Sequence, residues 1–393
     1  MPCQYRSLRQ KSAGRCLPGD VSGVSGIVEM LSEYFHRLRR VRASIVARGL
    51  DGYLVTCPEN RRYLSGFSAE DCGLNESSGA LFIMRHEAVL LTDGRYEEQA
   101  RNEAPGWRFI IYRKGLASAL GGLVKDCGIR RMAYEPAYIS CERFRAIRKH
   151  LDDTELVPVS GRVEAMRAVK YPLEIDAIRN AVQAAERIFH RVWHDLRPGM
   201  TEREVAWKIM EGLWKEADGP SFPPIVASGP NASLPHAVPT DRTIKSGEPV
   251  IVDMGARLRG YCSDMTRTIF AGEPDPLFRE IYRIVYRAQT AAQDALKPGV
   301  TGREIDSVAR SIIRESGYGR EFVHSLGHGV GLAVHEAPVL SVRSRKMIRT
   351  GMVVTVEPGI YIPGRGGVRL ENMALVTADG AEILNSLKWY YEY

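Results

Sequence analysis

The stretch VDMGARLRGYCSDMTRT, residues 252–268, places two carboxylates, Asp253 and Asp264, in a segment that otherwise has the composition of a protein core. Carboxylates are rarely buried unless a positive group meets them. If the stretch folds as a hairpin whose turn is centred between Leu258 and Arg259, the two aspartates lie directly opposite each other, with Cβ atoms ~4.5–5.5 Å apart. Anions that close repel each other unless they share a proton or a cation.

A second stretch, GMVVTVEPGIYIPGRGGVRLENMALVT (351–377), repeats this arrangement. Glu357 and Glu371 are fourteen residues apart, and the midpoint between them is Gly364. An odd-length turn centred on that glycine pairs the two glutamates on one face, and Arg369 shares the face by period-two alternation. The sequence therefore predicts a second hairpin with paired acids.

Histidines accompany the acids in the same half of the chain. Three occur in the glycine-rich stretch FVHSLGHGVGLAVHEAP (322–338) and one in GPNASLPHAVP (229–239). Glycines allow the backbone to approach a ligand closely. The four candidates are His236, His324, His328 and His335, of which His324 is interpreted as a hydrogen-bonded core residue.

The donor set indicates a class of metal. Carboxylates with one imidazole and no cysteine suit Mn²⁺, Co²⁺, Fe²⁺ or Zn²⁺. Four carboxylates around one ion would be excessive, whereas two divalent ions balance their charge, with His328 as a neutral ligand. This is the layout of a two-metal hydrolytic site.

An internal repeat surrounds these motifs. LRPGMTEREVAWKIMEGLWKEA (196–217) and LKPGVTGREIDSVARSIIRESG (296–317) recur 100 residues apart, each after a long helical stretch and before strand-like segments. Thr201 and Thr301 are predicted helix N-caps. The repeat predicts a duplicated unit of two helices and an antiparallel sheet.

The preceding region has a different pattern. Short strand-like runs alternate with helical ones, which predicts an α/β domain, and no Gly-rich phosphate loop follows a strand. The predicted strands are DGYLVT, GALFIM, AVLLT, WRFIIY and RMAYEP. The predicted organisation is a flexible basic tail (1–30), an N-terminal α/β domain (31–160) and a C-terminal catalytic domain (161–393), an α+β fold as a whole.

Composition excludes several classes of protein. At 393 residues with 44% hydrophobic and 26% charged residues, the chain reads as globular and multidomain. No apolar run approaches the ~18 residues of a membrane span, and seven cysteines without a CxxC pair indicate a reducing compartment. The net charge of +7 is spread along the chain, so a solvated basic surface is favoured over a nucleic-acid site. We expect a cytoplasmic protein with no membrane or nucleic-acid partner.

These motifs resemble the pita-bread family of metallopeptidases, specifically the Xaa-Pro peptidases (prolidase and aminopeptidase P), over residues 30–393. The resemblance implies a creatinase/prolidase-type N-terminal domain followed by a duplicated pita-bread domain with a curved antiparallel sheet and flanking helices. It also implies two divalent ions, Mn²⁺ foremost, and a small peptide substrate with proline in second position. A homodimer, in which each N-terminal domain walls off the neighbouring site, is implied as well.

The resemblance also implies residue roles. Asp264 and Glu371 would bridge the ions, Asp253 would bind one, and His328 and Glu357 the other. Glu357 would also move the proton of the nucleophilic water. His236 and His335 would hydrogen-bond the substrate and the oxyanion, and Arg369 is a candidate partner for a substrate carboxylate.

Some alternatives remain open at this point. Taken singly, Asp253 could pair with Arg267, and Glu371 with Arg369. Archaeal prolidases carry an arginine where this chain has Val339, which weakens the dipeptidase interpretation without deciding between it and aminopeptidase P. The competing functions are a metal-free creatinase-like amidinohydrolase and a non-catalytic pita-bread module that binds protein or RNA. The first normally lacks several of the ligand carboxylates that this chain keeps.

Overall fold

The computed structural model describes residues 21–71, 73 and 76–387. Residues 1–20, most of the predicted tail, lie outside the described residues, and the first helix begins at Val21. The helices of the N-terminal region are α1 (Val21–Ala47), α2 (Pro58–Ser65), α3 (Glu97–Glu103), α4 (Leu116–Asp126) and α5 (Cys141–Lys149). Its strands are β1 (Gly52–Val55), β2 (Ala80–Met84), β3 (Ala88–Asp93), β4 (Arg108–Tyr112), β5 (Arg131–Tyr134) and β6 (Glu155–Pro158).

These six strands form one mixed sheet in the order β4-β3-β2-β1-β5-β6. All five predicted strands are present as β1 to β5, and the predicted α/β character is confirmed. Apolar side chains cover both faces, because alternate residues of the central strands, such as Tyr53 and Leu54, belong to different core clusters. The short helix α6 (Glu164–Arg167) then leads into the second half of the chain.

Among the described residues, the second half contains two helix pairs and four antiparallel sheets. The helices are α7 (Pro172–Asp195), α8 (Glu202–Glu216), α9 (Pro276–Ala295) and α10 (Gly302–Glu315). The strands after α8 are β7 (Gly219–Pro220), β8 (Ile225–Ser228), β9 (Pro249–Met254), β10 (Ala256–Leu258), β11 (Tyr261–Cys262) and β12 (Met265–Phe270). Those after α10 are β13 (Gly327–Gly329), β14 (Glu336–Leu340), β15 (Val353–Val356), β16 (Gly359–Ile362), β17 (Gly366–Arg369), β18 (Asn372–Val376) and β19 (Ala381–Ile383).

The duplication predicted from the repeat is confirmed. Thr201 and Thr301 both cap their helices in a capping box, with Glu204 and Glu304 as reciprocal acceptors. The sheet β12-β9-β8 follows the first helix pair, and β14-β13-β15-β18-β19 follows the second. We call residues 172–270 the first copy and residues 276–376 the second copy.

Strand alternation separates core from site in both copies. In β9, Val250 and Val252 face the core formed with α7 and α8, so Asp253 points away from those helices. In β15, Val354 and Val356 pack in the core with α9 and α10, which places the side chain of Thr355 on the opposite face. The polar side chains of the two copies therefore occupy the sheet faces that the helices leave uncovered.

The predicted register of the first hairpin is wrong by two residues. Asp253 pairs with Thr266, not with Asp264. The two-residue turn is Arg259-Gly260, and both residues have positive φ (52° and 79°), as a type I′ turn requires. A two-residue shift keeps both aspartates on one face as diagonal neighbours.

The register of the second hairpin is as predicted. Gly359 pairs with Arg369 in the β16–β17 ladder, and Val356 pairs with Asn372 in the β15–β18 ladder. Glu357 and Glu371 lie opposite each other in the gap between these two ladders.

Candidate active site

The predicted site residues meet in one cleft of about 530 Å³ at the joint between the two copies. Its polar lining comprises His236, Asp253, Asp264, His324, Ser325, His328, His335, Glu357, Arg369 and Glu371. Its apolar lining includes Phe222, Pro223, Pro224, Val238 and Val334. Every catalytic and metal-binding candidate from the sequence is present.

Three of the predicted metal ligands form the tightest group. Donor atoms of Asp264, His328 and Glu371 all lie within 4.8 Å of one another. Burial, reinforced by the charges of neighbouring carboxylates, raises the pKa of Asp264 and Glu371 well above the ordinary range. The group therefore holds more negative charge than its surroundings can solvate, and a cation would relieve the repulsion.

His328 presents one nitrogen to this group. Its Nε2 lies 3.2 Å from Glu357 and 3.6 Å from Asp264, while its Nδ1 lies 3.2 Å from the carbonyl oxygen of Gly329. An Nδ1–H donated to that carbonyl leaves the Nε2 lone pair directed at the carboxylates. Burial lowers the pKa of His328, but the hydrogen bond and charge of Glu357 outweigh it and raise the pKa to about 9. Positive charge, as a proton or as a cation, is therefore stabilised at Nε2.

Threonine hydroxyls orient the two glutamates. Thr266 Oγ1 donates to Glu371 Oε2 at 2.7 Å, and Thr355 Oγ1 donates to Glu357 Oε1 at 3.0 Å. Burial raises the pKa of Glu357, but its hydrogen bond with His328 more than compensates, and the net pKa is lowered. Glu357 is thus the carboxylate of the cluster held most firmly as an anion.

Arg369 joins the two copies. Its guanidinium binds Asp253 Oδ2 at 2.7 Å, the carbonyl oxygen of Pro235 at 3.1 Å and Thr266 Oγ1 at 3.1 Å. It also donates to the Tyr361 hydroxyl at 2.9 Å. All three guanidinium nitrogens are engaged within the protein, so Arg369 is placed as a support for the site and not as a free cation facing the cleft.

The ion pairs that would explain the acids without a metal are mostly absent. Arg267 binds the carbonyl oxygen of Glu371 and Asn372 Oδ1 at 3.0 Å, not Asp253. Arg369 pairs with Asp253 and not with Glu371. Among the described residues, Asp253 is thus the one acid of the four that pairs with a guanidinium, and His328 is the basic side chain that lies beside Asp264 and Glu357.

The remaining histidines occupy different positions in the cleft. His236 and His335 are exposed, and the His335 ring lies against the His328 ring with centroids 4.3 Å apart. His324 Nε2 is 2.8 Å from the Tyr361 hydroxyl, and its Nδ1 is 2.7 Å from the Ser325 carbonyl oxygen. His324 is therefore hydrogen-bonded on both nitrogens, beside the carboxylate cluster.

Sequence reasoning missed the buried carboxylates that hold the site loops. Glu202 is fully buried and accepts hydrogen bonds from Ser228, Asn231 and Thr240, which flank His236 in the chain. Its only sequence signal is an acid in the first turn of α8, which is common in helices.

In the second copy, Asp306 is the buried carboxylate that holds a loop of the site. It is fully buried, accepts from the Leu326 backbone N–H at 3.2 Å and pairs with Arg310. Arg310 in turn donates to the carbonyl oxygens of Phe322 and His324. The pair spans Asp306-x-x-x-Arg310, a spacing that usually indicates a surface ion pair.

The residues present fit a divalent cation. Asp253 Oδ1 is buried and accepts no hydrogen bond among the described residues, which is costly for a carboxylate oxygen unless a cation meets it. Oxygen donors with one imidazole match the preferences of first-row divalent ions. Asp253, Asp264, His328, Glu357 and Glu371 are the residues that could hold them.

Comparison with known proteins places the chain. Residues 176–378 match metallopeptidase family M24, and residues 37–169 match the creatinase/prolidase N-terminal domain. The chain belongs to metallopeptidase family M24. M24 metallopeptidases use divalent metal ions, and the cleft is the candidate site for them.

Three relatives sharpen the comparison. A Xaa-Pro dipeptidase from Pyrococcus horikoshii is 45% identical over 352 residues, which is 88% of this chain and 96% of that relative. A solved Xaa-Pro dipeptidase from Bacillus anthracis has a TM-score of 0.85 at 39% identity, covering 91% of this chain and 98% of that one. An X-Pro aminopeptidase from Thermotoga maritima has a TM-score of 0.79 at 37% identity, covering 86% and 96%. The predicted fold and family are confirmed.

Proposed function

We propose that this M24 peptidase uses two divalent metal ions, Mn²⁺ foremost, to hydrolyse the bond between an N-terminal residue and proline. The observation that carries the proposal is that four buried or half-buried carboxylates and His328 line one cleft, where donor atoms of Asp264, His328 and Glu371 lie within 4.8 Å of one another. Arg369 neutralises one of the four charges. A single divalent ion would leave the cluster negative, which supports a second. Co²⁺, Fe²⁺ and Zn²⁺ are the alternatives to Mn²⁺.

The side chains divide the chemistry between them. Divalent ions, when bound, supply Lewis-acid polarisation of the scissile carbonyl and acidify the attacking water. Glu357, held as an anion by Thr355 and His328, accepts the proton of that water and passes it to the leaving proline nitrogen. His335 and His236, exposed at the cleft, donate to the oxyanion that forms on the scissile carbonyl.

The apolar wall of the cleft suits a proline ring. Phe222, Pro223, Pro224 and Val334 are among the apolar residues that line the cavity. Because proline has no backbone N–H and a fixed φ, a pocket that recognises it depends on shape and apolar contact, not on hydrogen bonding to the amide. This wall is therefore assigned to the residue after the scissile bond.

The charges in the cleft favour peptides longer than a dipeptide. A dipeptide substrate ends in a carboxylate immediately after the scissile bond, and a cation would be its natural partner. Among the described lining residues the only guanidinium is that of Arg369, which is already engaged by Asp253, Tyr361 and Pro235. We therefore favour aminopeptidase P-like activity over prolidase-like activity.

Two further proposals concern the environment of the enzyme. Cys57, Cys127, Cys141 and Cys262 are free thiols, which supports a cytoplasmic location. Among the described residues, no helix combines the length and the apolar character that crossing a bilayer demands.

Exposed apolar residues in the loops that reach the cleft, such as Val238 (78% exposed), support the homodimer. Light scattering on a size-exclusion column tests it, with a monomeric mass as the contrary result.

Hydrolysis of Ala-Pro, Ala-Pro-amide and Ala-Pro-Ala by the Mn²⁺-loaded enzyme tests the activity. We expect all three substrates to be cleaved and Ala-Pro-Ala to give the highest kcat/KM. Ala-Pro-amide should exceed Ala-Pro, because the amide removes the unpaired carboxylate. Glu357→Gln should lower kcat by about 10²–10⁴-fold. Cleavage of none of these peptides, together with hydrolysis of creatine, would favour the amidinohydrolase instead.

A further inference from the structure

His190 and His194 lie one turn apart on the exposed side of α7, outside the cleft. The structure brings their Nε2 atoms to 3.2 Å from each other. The ring centroids are 4.4 Å apart and the ring planes meet at 65°. At this separation one nitrogen must donate and the other accept, so a single shared proton holds the pair together.

The separation also matches two ligands of one metal ion. Imidazole nitrogens bind ions such as Zn²⁺ at ~2.0–2.1 Å. Two nitrogens at that distance and 3.2 Å apart subtend about 100° at the ion, between the angles of square-planar and tetrahedral coordination. Both rings extend from one long helix, so little reorganisation is needed to exchange the shared proton for a cation.

Acidic side chains compensate part of the positive charge around the pair. The two nearest arginines along the helix, Arg187 and Arg191, both pair with Glu216. The cation on the neighbouring helix, Lys208, pairs with Asp195 at 2.8 Å. Arg197, whose Nη1 donates to the His194 carbonyl oxygen at 2.5 Å, adds a further cation, so the local positive charge is only partly neutralised and ligation by the two imidazoles must outweigh the remainder.

We propose that His190 and His194 form a second, peripheral metal site, which chelates a late first-row divalent ion such as Ni²⁺, Cu²⁺ or Zn²⁺. Two imidazoles without a carboxylate are a borderline donor set, which favours these ions over Mn²⁺. Water completes the coordination, because both side chains are exposed. The site is independent of the proposed peptidase chemistry.

Metal counting tests the site whatever the active site binds. The full chain and its variants are dialysed against Ni²⁺ at a concentration that just saturates the wild type, and bound nickel is measured by mass spectrometry. We expect His190→Ala and His194→Ala each to hold one equivalent less than the wild type. The matched control His150→Ala removes an exposed histidine whose Nδ1 contacts only the Ala146 carbonyl oxygen, and it should hold the wild-type number. Circular dichroism confirms that each variant folds.

Two outcomes would overturn the proposal. Equal nickel content in wild type and both variants excludes the site, and loss in one variant alone indicates a single imidazole instead of a chelate. A second measurement uses Trp193, whose ring lies 4.8 Å from that of His194. Cu²⁺ should quench part of the tryptophan emission in the wild type, and this part should disappear in His194→Ala and in Trp193→Phe. Unchanged quenching in both variants contradicts the assignment.

Discussion

The two copies of the duplicated unit share a scaffold but differ in what they deliver to the cleft. In each copy the turn before the second helix is bound to a later loop by a matching backbone bond: the Gly199 N–H donates to the Ile244 carbonyl oxygen, and the Gly299 N–H donates to that of Ile348. The first copy supplies two aspartates and His236, whereas the second supplies two glutamates, His328 and His335. Strand β8 of the first copy, with the sequence IVAS, contains no histidine.

The buried carboxylates that hold the loops lie at different positions in the two copies. Glu202 is the first residue of α8, and the equivalent residue of α10 is Gly302, where a Cβ would clash with the Val339 carbonyl oxygen. Asp306 lies one turn later in α10, and its equivalent in α8 is Ala206. Duplication has thus kept the backbone and the need for an internal acceptor, while the acid itself has moved along the helix.

Removing one candidate metal ligand from each copy gives the largest expected effect. Asp264→Ala and Glu371→Ala should each reduce peptide hydrolysis to background and lower bound metal by more than the roughly 10–100-fold that loss of a supporting residue costs. Metal analysis and Ala-Pro-Ala hydrolysis measure both quantities. The control is Glu211→Ala, an exposed acid of α8 that should change neither. Full activity in either variant would show that one copy suffices.

Removing the two loop-holding acids should separate their roles. Glu202→Ala leaves donors on Ser228, Asn231 and Thr240 unpaired, and we expect unfolding to become easier by on the order of 3 kcal/mol. Turnover should fall through displacement of His236, while metal content stays near normal. Urea denaturation and metal analysis test this.

Asp306→Ala should destabilise the protein by a similar amount, on the order of 3 kcal/mol, but with a different consequence. The segment it holds leads directly to His328 through Leu326, so metal content should fall together with turnover. If Glu202→Ala and Asp306→Ala lose metal equally, the two loops do not contribute differently to metal binding.

The stability of the metal-free protein should depend on pH, because Asp264 and Glu371 are buried beside other carboxylates. The pKa of Asp264 and of Glu371 is raised in the folded state, chiefly by burial. The folded state therefore binds more protons than the unfolded chain above pH ~4, and stability falls as pH rises from there through the folded pKa values. Melting temperatures of the EDTA-treated protein at pH 5 and pH 7.5 test the sign. Mn²⁺ and Glu371→Gln should both flatten the slope.

The helix caps should give the smallest effect and the most equal one. Thr201→Ala and Thr301→Ala remove the same capping bond, to Glu204 N–H and Glu304 N–H respectively. Each should cost about 1 kcal/mol of unfolding free energy without changing kcat. If the losses of unfolding free energy in the two variants differ by more than one capping bond contributes, the stability of one copy depends on its helix more than that of the other.

Residue patterns predicted the helix pairs, the strands and the five candidate ligands, because capping and alternation are local properties. The glutamate register follows from Gly364 at the centre of its turn. The aspartate register was wrong because Arg259, not a residue such as Asn, adopts positive φ beside Gly260, and no local signal marks it. Glu202 and Asp306 could not be recognised, because the backbone N–H groups that they accept from, those of Ser228 and Leu326, lie 26 and 20 residues away, and the spacing of Asp306 and Arg310 is also that of a surface ion pair.

The position of the cleft at the joint ties the assembly of the molecule to its supply of ions. Neither copy alone carries the five candidate ligands, so an ion bound by all of them binds the docked arrangement in preference to the unfolded chain. Free ion at 100 times its dissociation constant would then add about 2.7 kcal/mol to the stability of the folded chain. Removal of the ions by a chelator would in turn weaken the contact between the two copies and make the joint between them more accessible to proteases.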